Sequence, residues 1–536
     1  MPEERAMPIG AQDFQDLREK GFVYVDKTQY VSKLVNSSKV YFLSRPRRFG
    51  KSLFLSTLAA YFQGQKELFK GLYLEKTEEE FAHHEGREAW IEYPVLYLDF
   101  NAKNFENRKA LIERLTLNLE KWEKTYGTTV QTESPEERFA NIIQQAYKKT
   151  GRQVVVLIDE YDKPLLDTIN KPELNETYRD ILKAFFAVIK SSDQYLRFAF
   201  LTGVTKFSKV SVFSGLNNLR DLSLLSDFAG ICGITEAELS ANFTPEIEAL
   251  ATRQRLTIAE AYATLRKWYD GYRFAREGES VYNPFSLLNV FASRELSDYW
   301  YATGTPTFLV EYLKEAHYNI PELDDKVRLD EAGMDTYRAD SQNPLPILYQ
   351  AGYLTIKEYI ASRKVYRLGF PNAEVRYGFM KNLLDGFAPS LYGAGVAVSY
   401  FVDDVEAGNV ESFMRRMQSI LAGIPYNTVT SKDAKLYERD FQVSVYLIFS
   451  LMGEFVETEV HNNVGRADAV VRTQETIYVF EFKLWSSGTP ADALAQIKTN
   501  GYAKPYLSSG KRIILIGASF DEATRNLAAW ETEVFK

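Results

Sequence analysis

Three small groups of side chains have the types and spacing to do chemistry. The first is Gly50-Lys51-Ser52. A turning glycine, a lysine and a hydroxyl at a helix start form the tail of a phosphate-binding loop. Backbone N–H groups there point at phosphate oxygens, Lys51 would reach the β- and γ-phosphates, and Ser52 would ligate Mg²⁺. The second is Asp159-Glu160, after the apolar run 154–158. Asp159 would hold Mg²⁺ through water, and Glu160 would orient and polarise an attacking water. The third is Asp468 followed by Glu481-x-Lys483. The two carboxylates offer hard oxygens to Mg²⁺. Lys483 would position or deprotonate a water, or offset phosphate charge. Glu438, on a helix ahead of them, would complete the metal shell. This is an arrangement for metal-dependent phosphodiester cleavage. Each group also has an ordinary reading, as a surface turn, a strand end with solvated acids, or a surface ion pair.

The surrounding elements must bring these groups together. Residues 40–44 are apolar and aromatic, as a buried strand requires. Pro46 and Gly50 break that run, and Leu55, Leu58, Ala59 and Phe62 then fall at helical spacing. Five apolar residues before Asp159 predict a strand buried on both faces, with its acids at the carboxyl end where ligands bind open α/β sheets. Residues 94–100 and 198–201 read as further strands. Thr202 and Thr205, after the latter, are candidates to sense a γ-phosphate. In the leading segment, residues around 14–17 predict a short helix and 22–25 a short strand.

The middle opens with a capping box at Thr235 and Glu238. From 305 the pattern is helix, helix, then a hairpin of 353–359 and 365–368, which resembles a winged helix. Beyond 431 it is helix, three strands, helix, and a strand at 513–516 that closes the sheet. Alternation along 477–483 puts Glu481 and Lys483 on one face and Phe480 and Phe482 on the other. The fold class is therefore α/β. The expected parts are a parallel-sheet domain over 1–234, a helical and winged-helix region over 235–399, and an αβββαβ domain over 400–536.

Composition narrows the field. The 536 residues are 45% hydrophobic and 25% charged, as in a globular chain with ample core. The net charge of −8 leaves nucleic-acid binding to local basic patches or metal ions. One cysteine excludes an internal disulfide and, with four scattered histidines, a common zinc cluster. No apolar run reaches membrane-spanning length, and the first residues lack the apolar core of a signal peptide. The expectation is a cytoplasmic protein without a membrane partner.

The run FLSRPRRFGKSL, with GFVYVDKT at 21–28 ahead of it, resembles the AAA-ATPase-like family of bacterial proteins. WYDGYRF at 268–274, YNPF at 282–285 and PNAEVR at 371–376 match it too. In that family R-P-R-R-F-G-K-S replaces the glycine-rich loop. The resemblance implies a nucleotide site at Arg45, Arg47, Arg48, Phe49, Gly50, Lys51, Ser52 and Leu53, backed by Asp159 and Thr202. It also implies that the leading segment packs beside the nucleotide. The general motif has glycine at position 45; the three arginines could supply charge that a plain glycine loop lacks. The C-terminal region is similar to the PD-(D/E)XK nuclease superfamily, in the form fused to such ATPase-like regions. Asp468, Glu481, Lys483 and Gln496 match its motif, with Glu438 as a further metal ligand.

The implied protein uses ATP and Mg²⁺, and couples an ATPase to a nuclease acting on DNA rather than RNA, with a homo-oligomer as one allowed assembly. The competing reading is a nucleotide-dependent switch or scaffold whose nuclease-like domain binds nucleic acid or protein without cutting it.

Overall fold

Runs of aromatic and β-branched residues build the first sheet. Its strands are β1 (Val40–Ser44), β2 (Val95–Asp99), β3 (Val154–Asp159), β4 (Leu196–Gly203) and β5 (Arg220–Asp221). The computed structural model describes residues 5–536 apart from 102–103, 207–211, 214, 217, 303–306, 316–317, 325, 336–342, 389–392, 424–433, 454–456, 461–467, 522 and 525. Its contacts gather into two units, Met1–Trp300 with Asp325–Glu374, and Tyr301–Asp324 with Val375–Lys536.

In the first unit the strands run parallel in the order β2-β3-β4-β1-β5. Every residue of β1 and β3 is buried, whereas β2, at the sheet edge, is buried only at alternate positions. Helices cover both faces. Tyr41 and Phe198 meet on the side of helix Lys51–Phe62, whose Phe62 lies 5.0 Å from Phe198. One residue on, Phe42 points the other way and meets Phe213, which touches Phe186 of helix Pro172–Ser191. The register aligns the carboxyl ends: Ser44 lies opposite Gly203, and Asp99 opposite Asp159. The loops after β1 and β3 therefore open at one edge.

The middle helices of this unit begin as their sequences dictate. Thr235 and Thr257 each form a capping box, with Glu238 and Glu260. Leu239, Phe243, Leu265 and Phe291 fill the core between them. The expected hairpin forms from β7 (Thr355–Ile360) and β8 (Val365–Gly369). A third strand, β6 (Val327–Asp330), pairs with β8, and a sequence of only four residues gave no sign of it. Residues 22–25 form no strand, despite their composition, because no neighbouring strand pairs with them.

The second unit contains β9 (Glu457–Val460), β10 (Ala469–Arg472), β11 (Thr476–Leu484), β12 (Arg512–Asp521) and β13 (Asn526–Val534), in the order β13-β12-β11-β10-β9. β11 and β12 are parallel; the other pairs are antiparallel. Ile477 and Val479 face Leu494 and Ile497 of helix Pro490–Asn500, and Phe480 faces Phe413 and Phe449. A Cβ at Gly517 would stand 2.3 Å from the Pro490 carbonyl, so only glycine lets this helix settle onto β12. The strand expected to close the sheet is instead followed by β13, which takes the edge. Among the described residues no helix is long and apolar enough to cross a membrane.

Candidate functional site

The first site grows from the loop between β1 and helix Lys51–Phe62. Gly50 caps that helix at φ +94°, a conformation natural only to glycine. Lys51 is nearly buried, and its ammonium donates to the carbonyls of Arg45 and Pro46, at 3.1 and 3.2 Å. It also pairs with Glu160 at 3.0 Å. Ser52 lies near enough to Asp159 to lower its carboxyl pKa. Two groups 107 residues apart in sequence thus meet at one sheet edge.

The loop after β3 is held from behind. The Thr202 hydroxyl donates to Asp159 Oδ1 at 2.5 Å and accepts from the Glu160 N–H. Glu160 itself sits at φ +52°, an unfavourable conformation for a side chain that its neighbours impose. Burial, then the charge of Glu160, raises the Asp159 carboxyl above its ordinary range, against the opposing pull of Ser52, Thr202 and Lys51. Asp162, fully buried, accepts from the Val204 and Thr205 N–H groups and from the Thr205 hydroxyl, at 3.0, 2.6 and 2.7 Å. Burial and Glu160 push it up to about 6.

A cavity of about 410 Å³ opens over this edge. Arg47, Arg48, Phe49, Gly50, Lys51, Ser52, Leu53 and Glu160 line it. Val23, Tyr24, Ile231, Cys232, Phe243 and Leu288 line it too. Charged loop groups together with apolar side chains give it the character of a small-molecule pocket.

Not every expected loop residue reaches it. Arg45 is a correction to the charge expected there. It is buried, and its guanidinium donates to the carbonyls of Ser44, Ser223 and Phe228 and lies over the Phe274 ring. Thr202 is likewise fully buried, and its hydroxyl serves Asp159.

The second site is built on β11 and helix Pro490–Asn500. The Gln496 amide bridges the other two groups: it donates to Glu481 and accepts from Lys483. Lys483 lies 3.5 Å from Glu481 Oε1. The other oxygen, Glu481 Oε2, is buried without a hydrogen-bond partner. Asp468 accepts from the Phe482 N–H at 2.7 Å. Burial, then repulsion from Asp468, pushes Glu481 up to about 7. An orphaned, buried carboxylate oxygen facing a second carboxylate suits a hard cation. Among the described residues no three His, Cys, Asp or Glu side chains gather at one point. These two carboxylates fit Mg²⁺, which accepts water in its remaining positions. Glu438 falls within helix Ala434–Met452, but its side chain lies outside the described residues.

Residues 8–213 match the family model described as "Predicted AAA-ATPase" (AAA-ATPase-like), and residues 436–530 match the PD-(D/E)XK nuclease superfamily. Along 99% of its length the chain is 37% identical to the "Uncharacterized protein in vnfD 5'region" of Azotobacter chroococcum mcd 1, of which it covers 99%. The chain belongs to the AAA-ATPase-like family. It carries a PD-(D/E)XK nuclease superfamily domain at its C-terminal end.

In this AAA-ATPase-like protein the arginine-rich loop is anchored by its side chains. Arg48 lies over Phe285, and Phe49 packs on Tyr272 and Phe274. Pro46 abuts Gly352, where a Cβ would stand 2.7 Å away. The short motifs at 268–274 and 282–285 thus find their use against the loop. Sequence reasoning missed the apolar wall of the cavity, whose members come from separate stretches and follow no periodicity.

Proposed function

We propose that the N-terminal site binds and hydrolyses ATP with Mg²⁺, and that its nucleotide state governs a Mg²⁺-dependent nuclease site built on Asp468, Glu481 and Lys483, acting on DNA. The observation that carries this reading is the meeting of Lys51 and Ser52 with Glu160 and Asp159 beside a cavity whose lining also offers apolar side chains to a base. Gly50, Lys51, Ser52 and Leu53 hold the phosphates, with Arg47, Arg48 and Phe49 alongside. Ser52 and Asp159 hold the Mg²⁺, and Thr202 keeps Asp159 aimed.

Glu160 is the residue that orients and polarises the attacking water. A phosphate over the loop competes with Glu160 for the Lys51 ammonium. Arrival of the γ-phosphate then frees the carboxylate to accept a water proton, which ties hydrolysis to a loaded site.

At the second site Asp468 and Glu481, with Glu438 as a third candidate, hold the metal, and Gln496 fixes Glu481 and Lys483 together. The metal, when bound, supplies charge that offsets the scissile phosphate and lowers the pKa of water. Lys483 stands where it can position that water. Nuclease assays on single- and double-stranded DNA and RNA, with and without ATP and Mg²⁺, test this reading. Metal-dependent cleavage lost in Asp468→Ala and in Lys483→Ala is the expected result. Cleavage that survives both changes overturns it. Nucleotide binding lost in Lys51→Ala without any cleavage by the wild type would leave the switch reading in its place.

A further inference from the structure

We propose that Trp300 and Glu374 link the phosphate-binding loop to the segments by which the chain passes into the nuclease-fold unit, so that nucleotide at the loop is felt at the start of those segments. This rests on the nucleotide reading given above. The chain leaves the first unit at Trp300 and again at Glu374. Within that unit, both departure points are tied to each other and to the loop. The Trp300 indole N–H donates to the Arg47 carbonyl at 3.0 Å. The Trp300 backbone N–H donates to Glu374 Oε1 at 2.7 Å. The Ser286 hydroxyl donates to the same carboxylate, at 2.8 Å from Oε2. Glu374 is fully buried. A second route runs through rings: Trp300 meets Tyr272, which packs on Phe49 of the loop.

The next residues are fastened just as firmly within the second unit. The Asn382 amide donates to the Tyr301 hydroxyl at 2.6 Å. The Tyr301 ring lies on Gly378, where a Cβ would stand 2.4 Å from it. Gly378 and Asn382 ride on helix Ala373–Phe387, which carries Glu374 in its first turn. Breaking a buried hydrogen bond leaves a polar group unsatisfied, which is costly. A shift of the Arg47 carbonyl is therefore passed on by Trp300 more readily than it is absorbed. Trp300 and Glu374 are not among the residues that line the cavity, so their role is to position and transmit.

Hydrogen exchange on the full-length protein, with and without Mg²⁺-ADP and a slowly hydrolysed ATP analogue, tests the link. In the wild type, nucleotide slows exchange across residues 45–52 and, by about tenfold, across 299–302 and 374–383, an ordinary size for coupling between linked sites. In Trp300→Phe, which keeps a ring and removes the donor, the loop is still slowed and the departing segments are not. Glu374→Gln, which keeps the shape and removes the charge, gives the same separation and serves if Trp300→Phe lowers the melting temperature steeply. Slowing confined to the loop in the wild type, or unchanged at the departing segments in both variants, overturns the link and leaves the nucleotide reading intact. A loop that nucleotide does not slow at all removes the nucleotide reading, and this inference with it.

Discussion

Glu160 is held by an ion pair to Lys51, and in the proposed mechanism that pair opens before the carboxylate accepts a water proton. Glu160→Gln keeps the shape and weakens the hold on Lys51. ATP hydrolysis should fall by about 100-fold or more, the usual worth of a positioned general base. Nucleotide affinity should rise, because Lys51 no longer has an anionic partner to leave. Single-turnover hydrolysis and a fluorescent-nucleotide titration read the two effects separately. Lys51→Ala, by contrast, should lose affinity.

Asp162 gives a pH signature. Its folded pKa of about 6 exceeds the ordinary 3.8. The folded protein therefore binds this proton more readily than the unfolded chain. The resulting stabilisation is full below about 4 and is lost as pH rises through about 6. Wild type should lose melting temperature relative to Asp162→Asn across that window. Parallel melting curves of the two proteins would contradict the assignment.

At the scale of elements, the arginine-rich loop shows why a glycine-rich one is not needed. A plain glycine loop leaves its side-chain positions empty so that backbone can fold around phosphate. Here Arg45, Pro46, Arg48 and Phe49 are seated against other elements. The support around the loop holds it in place of glycine flexibility. Gly352 is part of that support, at φ +91° against Pro46. Gly352→Ala should cost about 2 kcal/mol of stability and weaken nucleotide binding as well, as measured by denaturant melts and titration.

The strand, loop and helix carrying Lys51 were legible because buried parallel strands read as unbroken apolar runs. The acids after β3 and the Glu481-x-Lys483 alternation were legible for the same kind of reason, a simple period. Arg45 was misplaced because charge in a loop suggests solvent, whereas three backbone carbonyls and a ring take it inward. Residues 22–25 look like a strand because the wall of an apolar cavity selects the same residue types. β13 escaped notice because Asn526–Val534 is an edge strand, half or fully exposed except at Leu527, with little apolar pattern to find.

For the whole molecule, the two candidate sites fall in different units, each with carboxylates and a lysine gathered at one sheet. Their substitutions should therefore act independently on folding. Lys483→Ala should abolish cleavage and leave nucleotide titration curves unchanged within about twofold, since it removes no group that contacts the nucleotide cavity. Gln496→Ala should lower Mg²⁺ affinity or activity by about 10- to 100-fold, the usual loss when a group orienting a metal ligand is removed.

The single thiol of the chain, Cys232, stands in the wall of the cavity, and burial raises its pKa. Alkylation there should be slow, and slower still when a ligand fills the space. A maleimide labelling time course on unmodified protein would then report ligand occupancy directly, with no engineered probe and no second cysteine to confuse the count.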